Sequence, residues 1–173
     1  MRVDVRDGDV AKAKAGDRTA FTRLIEAMEP KMYRLARSVL PRHDACADAM
    51  QEAVLRAWLK LPSLHDEARF EPWLYRIVYR ECCRMFKRTA RRGEVAFEDV
   101  YEAPPSPDVA ECQRVRAALD ALPDIQRVPL VLYHTMGYDT GDIAGILGIA
   151  RGTVKTRLMR GMKRLAQLLK EDA

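Results

Sequence analysis

No stretch of this 173-residue chain is apolar for long enough to cross a bilayer. The longest largely apolar run without Asp, Glu, Lys or Arg is Val128 to Tyr138, eleven residues. A membrane-spanning helix needs roughly 20, so no membrane insertion is expected. The first residues, Met1-Arg-Val-Asp-Val-Arg-Asp, alternate charges and lack the apolar core of a secretory signal. Cysteine is scarce: Cys46, Cys82, Cys83 and Cys112 form no C-x-x-C pair and no disulfide ladder. The chain therefore reads as cytoplasmic with reduced thiols. His43 and Cys46 find no second ligand pair at a suitable spacing, so no metal is assigned. His43, His65 and His134 fall in separate segments. There is no P-loop and no nucleophile-base arrangement, so neither a cofactor nor an enzymatic activity is expected.

Charge is present but unevenly placed. Residues 1–92 hold 20 basic and 13 acidic side chains; residues 112–173 hold 10 and six. Between them, residues 93–111 hold six acids and no base, together with Pro104, Pro105 and Pro107. Three prolines forbid one continuous helix there. The stretch reads as an acidic linker running into the next helix, between domains at 10–92 and 112–173. It serves equally as a strap repelled by nucleic acid and as a merely solvated loop.

Apolar spacing is helical almost throughout, and no segment sustains two-residue alternation. Phe21, Leu24, Ile25 and Met28 mark a helix capped by Asp17; Pro30 should interrupt it, with Met32, Leu35, Ala36 and Val39 resuming the stripe. Ala47, Gln51, Val54, Leu55 and Trp58 line another helix. Phe70, Trp73, Leu74, Ile77, Val78 and Met85 line a fourth, with Pro72 in its first turn. A helix should start at Ser106-Pro107 and a further one should span about Asp124 to Thr135. The fold class is all-α: two small helical domains joined by a flexible acidic linker, the C-terminal one a helix-turn-helix.

That last domain carries the most legible chemistry. Asp139 can cap one helix, with Asp142 as an imperfect capping box, and Gly148 permits the positive φ that ends it. A second helix begins near Arg151. Val154, Leu158, Gly161, Leu165, Leu168 and Leu169 share one arc of it; Lys155, Thr156, Met159, Arg160, Lys163 and Arg164 fill the opposite side. Arg151 to Arg164 holds six basic residues and no acid. A one-sign face repels itself unless an anion meets it, and a helix of this width fits the DNA major groove.

These residues resemble a known family. Gly137-Tyr-Asp-Thr-Gly-Asp-Ile-Ala-Gly-Ile-Leu-Gly148 followed by Gly152-Thr-Val-Lys-Thr-Arg-Leu-Met-Arg160 is similar to the promoter-binding domain of bacterial sigma-70 factors. Asp48-Ala-Met-Gln-Glu-Ala-Val-Leu-Arg-Ala-Trp58 resembles that family's polymerase-binding helix, and Phe70-Glu-Pro-Trp-Leu-Tyr-Arg-Ile77 resembles the segment after it. Two such motifs and a linker point to the compact extracytoplasmic-function (ECF) group, which serves stress responses.

The resemblance implies a factor that directs core RNA polymerase to promoters, held in check by an anti-sigma factor. It implies polymerase contacts from Asp48, Gln51, Glu52, Leu55 and Arg56; Leu55 fits the core as well. It implies capture of the melted minus-ten non-template strand by His65, Tyr75, Arg76, Tyr79, Arg80, Arg84, Lys87 and Arg88. These residues supply the stacking and charge that single strands need. Trp73, on the apolar stripe, fits packing better. Duplex contacts at the minus-thirty-five element fall to Arg151, Thr153, Lys155, Thr156, Arg157, Met159 and Arg160, with Arg157 also placed to brace the domain. Two positions depart from the family: Arg80 replaces a common Asn, and Ala150 replaces a common Ser cap, for which Thr153 or a phosphate could compensate. The alternatives are a decoy that titrates an anti-sigma factor without starting transcription, which would not need the basic helix, and a dimeric helix-turn-helix repressor.

Overall fold

The computed structural model describes residues 8–91 and 107–171. Most of the expected acidic linker lies outside the described residues. Among those described, every regular element is helical, as the periodicity requires.

Helix α1 (Asp9–Lys14) was not foreshadowed by the apolar pattern; Val10 and Ala13 pin it to the core, and Arg23 clasps Asp9 at 2.7 Å. Helix α2 (Arg18–Arg37) starts at Asp17, whose carboxylate accepts the Ala20 amide at 3.0 Å. Such a cap is worth about 1 kcal/mol. Pro30 does not break α2, contrary to expectation. Both Pro30 and Glu26, whose carbonyl loses its helical partner, are exposed. Water can take that carbonyl, while Leu24, Met28, Met32 and Leu35 bury the opposite face across the junction.

Helix α3 (His43–Lys60) also differs from the expected register. Its inner face is Cys46, Ala49, Ala53 and Ala57. Small residues three or four apart let α4 (Phe70–Arg91) pack closely against α3. The larger Leu55 and Leu59 are therefore turned outward. Two 3-10 turns, at Leu61–Ser63 and Glu67–Arg69, connect α3 to α4.

The second unit begins with α5 (Pro107–Asp120), followed by α6 (Asp124–Leu130) and a π-helical turn at Val131–Thr135. Helix α7 (Thr140–Leu147) and α8 (Arg151–Glu171) complete it. Gly161 lets α8 cross α6 closely, since a Cβ there would stand 2.9 Å from Leu130 Cδ1 and 3.3 Å from the Gln126 carbonyl. The two units pack on each other, chiefly through α4 against α7, and share one hydrophobic core.

Candidate nucleic-acid interface

The second unit holds its basic helix by local chemistry. Asp139 caps α7, accepting the Gly141 and Asp142 amides at 2.6 and 3.0 Å. Gly148 ends α7 at φ 69°, a conformation costly for other residues. Arg151 then donates from Nε to Thr140 Oγ1 at 2.8 Å and ties the start of α8 to the start of α7. Asp142 stands three residues beyond the Asp139 cap. Its carboxylate pairs with Arg69 of the first unit at 3.0 Å. Arg151, Thr153, Lys155, Thr156, Met159 and Arg160 are all exposed, with Met159 at 66%. Val154 and Gly161 are buried beneath them. Arg157 is half-buried, unlike its neighbours on this face.

On α4 the cations Arg76, Arg80, Arg84 and Arg88 recur every fourth residue and are exposed, with Lys87 beside them. Side chains four apart lie on one face, so this is a continuous basic ridge. Glu71 and Glu81, the acids of α4, are buried. His65 is exposed in the loop between the two 3-10 turns. Phe70 stacks near Trp73 at 5.8 Å, and Trp73 is half-buried, so it packs as its stripe position suggested.

The two tyrosines stand apart from the ridge. Tyr75 is not on the surface: it is fully buried, its ring 5.8 Å from Tyr138 in an edge-on contact across the unit boundary. Tyr79 is half-buried. Neither belongs to the apolar stripe read from the sequence, yet Tyr75 is covered where the second unit packs on α4. Burial raises the Tyr75 and Tyr138 phenols above their usual range, and Glu71 beside them adds to it. Glu71 itself pairs with Lys31 at 3.0 Å.

Sequence reasoning missed the residue that ties the units together. Arg127 is 9% exposed. It donates to the carbonyls of Asp120, Leu122 and Ser38 at 2.8, 2.9 and 2.9 Å and pairs with Asp124. Ser38 belongs to the first unit. The sequence hint is an arginine that directly precedes the apolar run Val128–Leu132.

On α3, Asp48, Gln51, Glu52 and Leu55 are exposed, with Leu55 at 58%, and Arg56 is half-buried. The packing thus resolves the choice for Leu55 in favour of the surface. Leu59, one turn further and 77% exposed, extends this face and was not anticipated. Its spacing of four from Leu55 was the available signal. His43 lies against Tyr33 at 5.4 Å, and Cys46 is buried with its thiol 3.7 Å from the Leu40 carbonyl. No group of three potential metal ligands occurs among the described residues. No helix there is long and apolar enough to cross a membrane.

Fold and face together define a class: a helical two-unit DNA-binding protein with a C-terminal helix-turn-helix. Residues 24–92 match the family description "Sigma-70 region 2" and residues 112–165 match "Sigma-70, region 4". ECF RNA polymerase sigma factor SigM of Mycobacterium tuberculosis is 37% identical over 156 residues, covering 90% of this chain and 80% of SigM. ECF RNA polymerase sigma factor EcfG of Rhodopseudomonas palustris is 31% identical, over 86% of this chain and 84% of its own. Among solved structures, the sigma factor RpoE in complex with the anti-sigma factor NepR from Bartonella quintana superposes with a TM-score of 0.74. It is 30% identical over 88% of this chain and 98% of RpoE. The chain belongs to the ECF group of the sigma-70 family.

Proposed function

We propose that this sigma factor grips promoters at two places while riding on core RNA polymerase. Its region 2 unit spans 10–92 and its region 4 unit spans 112–173. Helix α8 reads the minus-thirty-five duplex through Arg151, Thr153, Lys155, Thr156, Met159 and Arg160. The ridge of Arg76, Arg80, Arg84, Lys87 and Arg88 takes the phosphates of the melted minus-ten strand, together with His65 of the loop before α4. Opening a duplex costs a few kcal/mol per unstacked step, and this ridge supplies the charge that offsets it. The α3 face of Asp48, Gln51, Glu52, Leu55 and Arg56 docks on the polymerase. The protein acts in the cytoplasm, where polymerase and chromosome are.

The observation that carries this reading is the single-sign exposed face of α8 on a capped helix-turn-helix. A decoy for an anti-sigma factor would not need it. Promoter binding also requires the units to separate, because Tyr75 is buried against Tyr138 at the unit boundary and Tyr79 is half-buried. The 15 residues 92–106 reach at most about 50 Å when extended. Added to the width of the units, that spans two promoter elements about two helical turns, ~70 Å, apart. The relative RpoE was solved with an anti-sigma factor; a partner of that kind holds this chain in its closed state.

Reconstitution with core polymerase on genomic DNA, followed by mapping of RNA 5′ ends, tests the proposal. The expected result is a defined set of starts sharing two upstream elements. Failure to associate with core, or initiation indifferent to scrambling of both elements, overturns it.

A further inference from the structure

The polymerase-facing and strand-facing surfaces meet at one carboxylate that belongs to neither. Glu81 of α4 is 6% exposed. Its Oε1 lies 2.9 Å from Arg56 Nε on α3, and its Oε2 lies 2.5 Å from Arg84 Nη1 on the next turn of α4. The two arginine side chains are 40% and 58% exposed, so both are partly open to solvent. The three groups, with Glu52 and Arg88, line a cleft of about 200 Å³ between α3 and α4. A buried carboxylate needs cationic partners, and this one divides itself between two.

We propose that Glu81 is a positioning residue that couples polymerase docking to minus-ten strand capture. The inference rests on the assignment of Arg56 and Arg84 to those two surfaces. By engaging one nitrogen of each guanidinium, Glu81 aims the remaining N–H donors outward, Arg56 toward the polymerase and Arg84 toward the strand. The Arg56 contact is an ion pair without hydrogen-bond alignment, so Arg84 is the more firmly held of the two. If Arg56 is removed, Oε1 is left to take a second donor from Arg84. A bidentate Arg84 turns inward and is withdrawn from DNA.

The test is a double-mutant cycle on assembled holoenzyme, with core pre-bound at saturation. Anisotropy of a labelled minus-ten single strand, taken from a mapped promoter, is the readout. Arg56→Ala and Arg84→Ala are expected each to weaken strand binding about three-fold or more, and the double variant to fall well short of their product. In a Glu81→Gln background Arg56→Ala loses its effect on the strand while Arg84→Ala keeps one. A merely structural glutamate would not make the effect of one arginine depend on the other. If Arg84→Ala weakens strand binding and Arg56→Ala does not, the coupling is overturned and the two surfaces stand. If neither variant changes strand binding, the coupling and the assignment of Arg84 fall together.

Discussion

At the scale of single residues, function and stability rest on different arginines. Arg160 is exposed on α8 and pairs with no acid among the described residues, so its guanidinium is available to a base edge or phosphate. Arg160→Ala should weaken binding to a minus-thirty-five duplex by about 1–3 kcal/mol, and to a scrambled duplex by less, in a titration at fixed salt. Arg127 is the opposite case. It serves three carbonyls and Asp124 from a buried position, and removing it leaves those acceptors without their donor. Arg127→Ala should cost about 3 kcal/mol in denaturant unfolding. Duplex affinity of the fraction that remains folded should hold. Tyr138 is a subtler case, since its buried hydroxyl has Glu71 and Tyr75 as polar neighbours but makes no well-aligned hydrogen bond with them. Tyr138→Phe should leave the thermal midpoint unchanged or raise it.

At the scale of elements, the contrast between the inner and outer faces of α3 decides what can be changed. Alanines face α4, and leucines face out. A joint Leu55→Ala and Leu59→Ala change should therefore lower affinity for core polymerase while shifting the thermal midpoint little, because exposed truncations cost about 0.5 kcal/mol or less. Equal loss of stability and of core binding would return Leu55 to the core. The α3–α4 interface also carries a pH signature. Burial raises the Cys46 thiol to about 11 and Cys82 further. An unfolded thiol ionises near 8.5, so the folded state binds protons that the unfolded state has lost above that pH. The contribution is complete below about pH 8.5 and is lost as pH rises toward 11. Melting curves should fall across this window, and the Cys46→Ala variant should fall less steeply than the parent.

At the scale of the whole molecule, the closed packing of the two units is what the proposed mode of promoter binding must undo. The seam includes the Tyr75–Tyr138 contact, the Arg69–Asp142 ion pair and the Arg127 hydrogen bond to Ser38. Tyr138→Asp places a charge against buried Glu71 and Tyr75, and should open the seam. The expected outcome is a larger radius of gyration in small-angle scattering, and tighter capture of a minus-ten single strand by the free chain, since Tyr75 and Tyr79 become accessible. An open chain with no gain in strand capture would remove the tyrosines from the binding surface.

Much of this was settled by local chemistry. Helix type and the caps at Asp17 and Asp139 follow from residue spacing and hydrogen bonds within a few positions, as does the turn at Gly148. The one-sign face of α8 follows from its own heptads. None needs a partner from elsewhere in the chain. What the tertiary structure alone decided is which of two plausible faces each helix buries. Spacing cannot tell a stripe of alanines that invites close packing from a stripe of leucines kept for another protein, nor a tyrosine awaiting DNA from one lying under a neighbouring helix. Those choices, like the reach of Arg127 to Ser38 and of Glu81 to Arg56, depend on groups far apart in sequence. Only the packed chain brings them within the few ångströms over which burial and charge act.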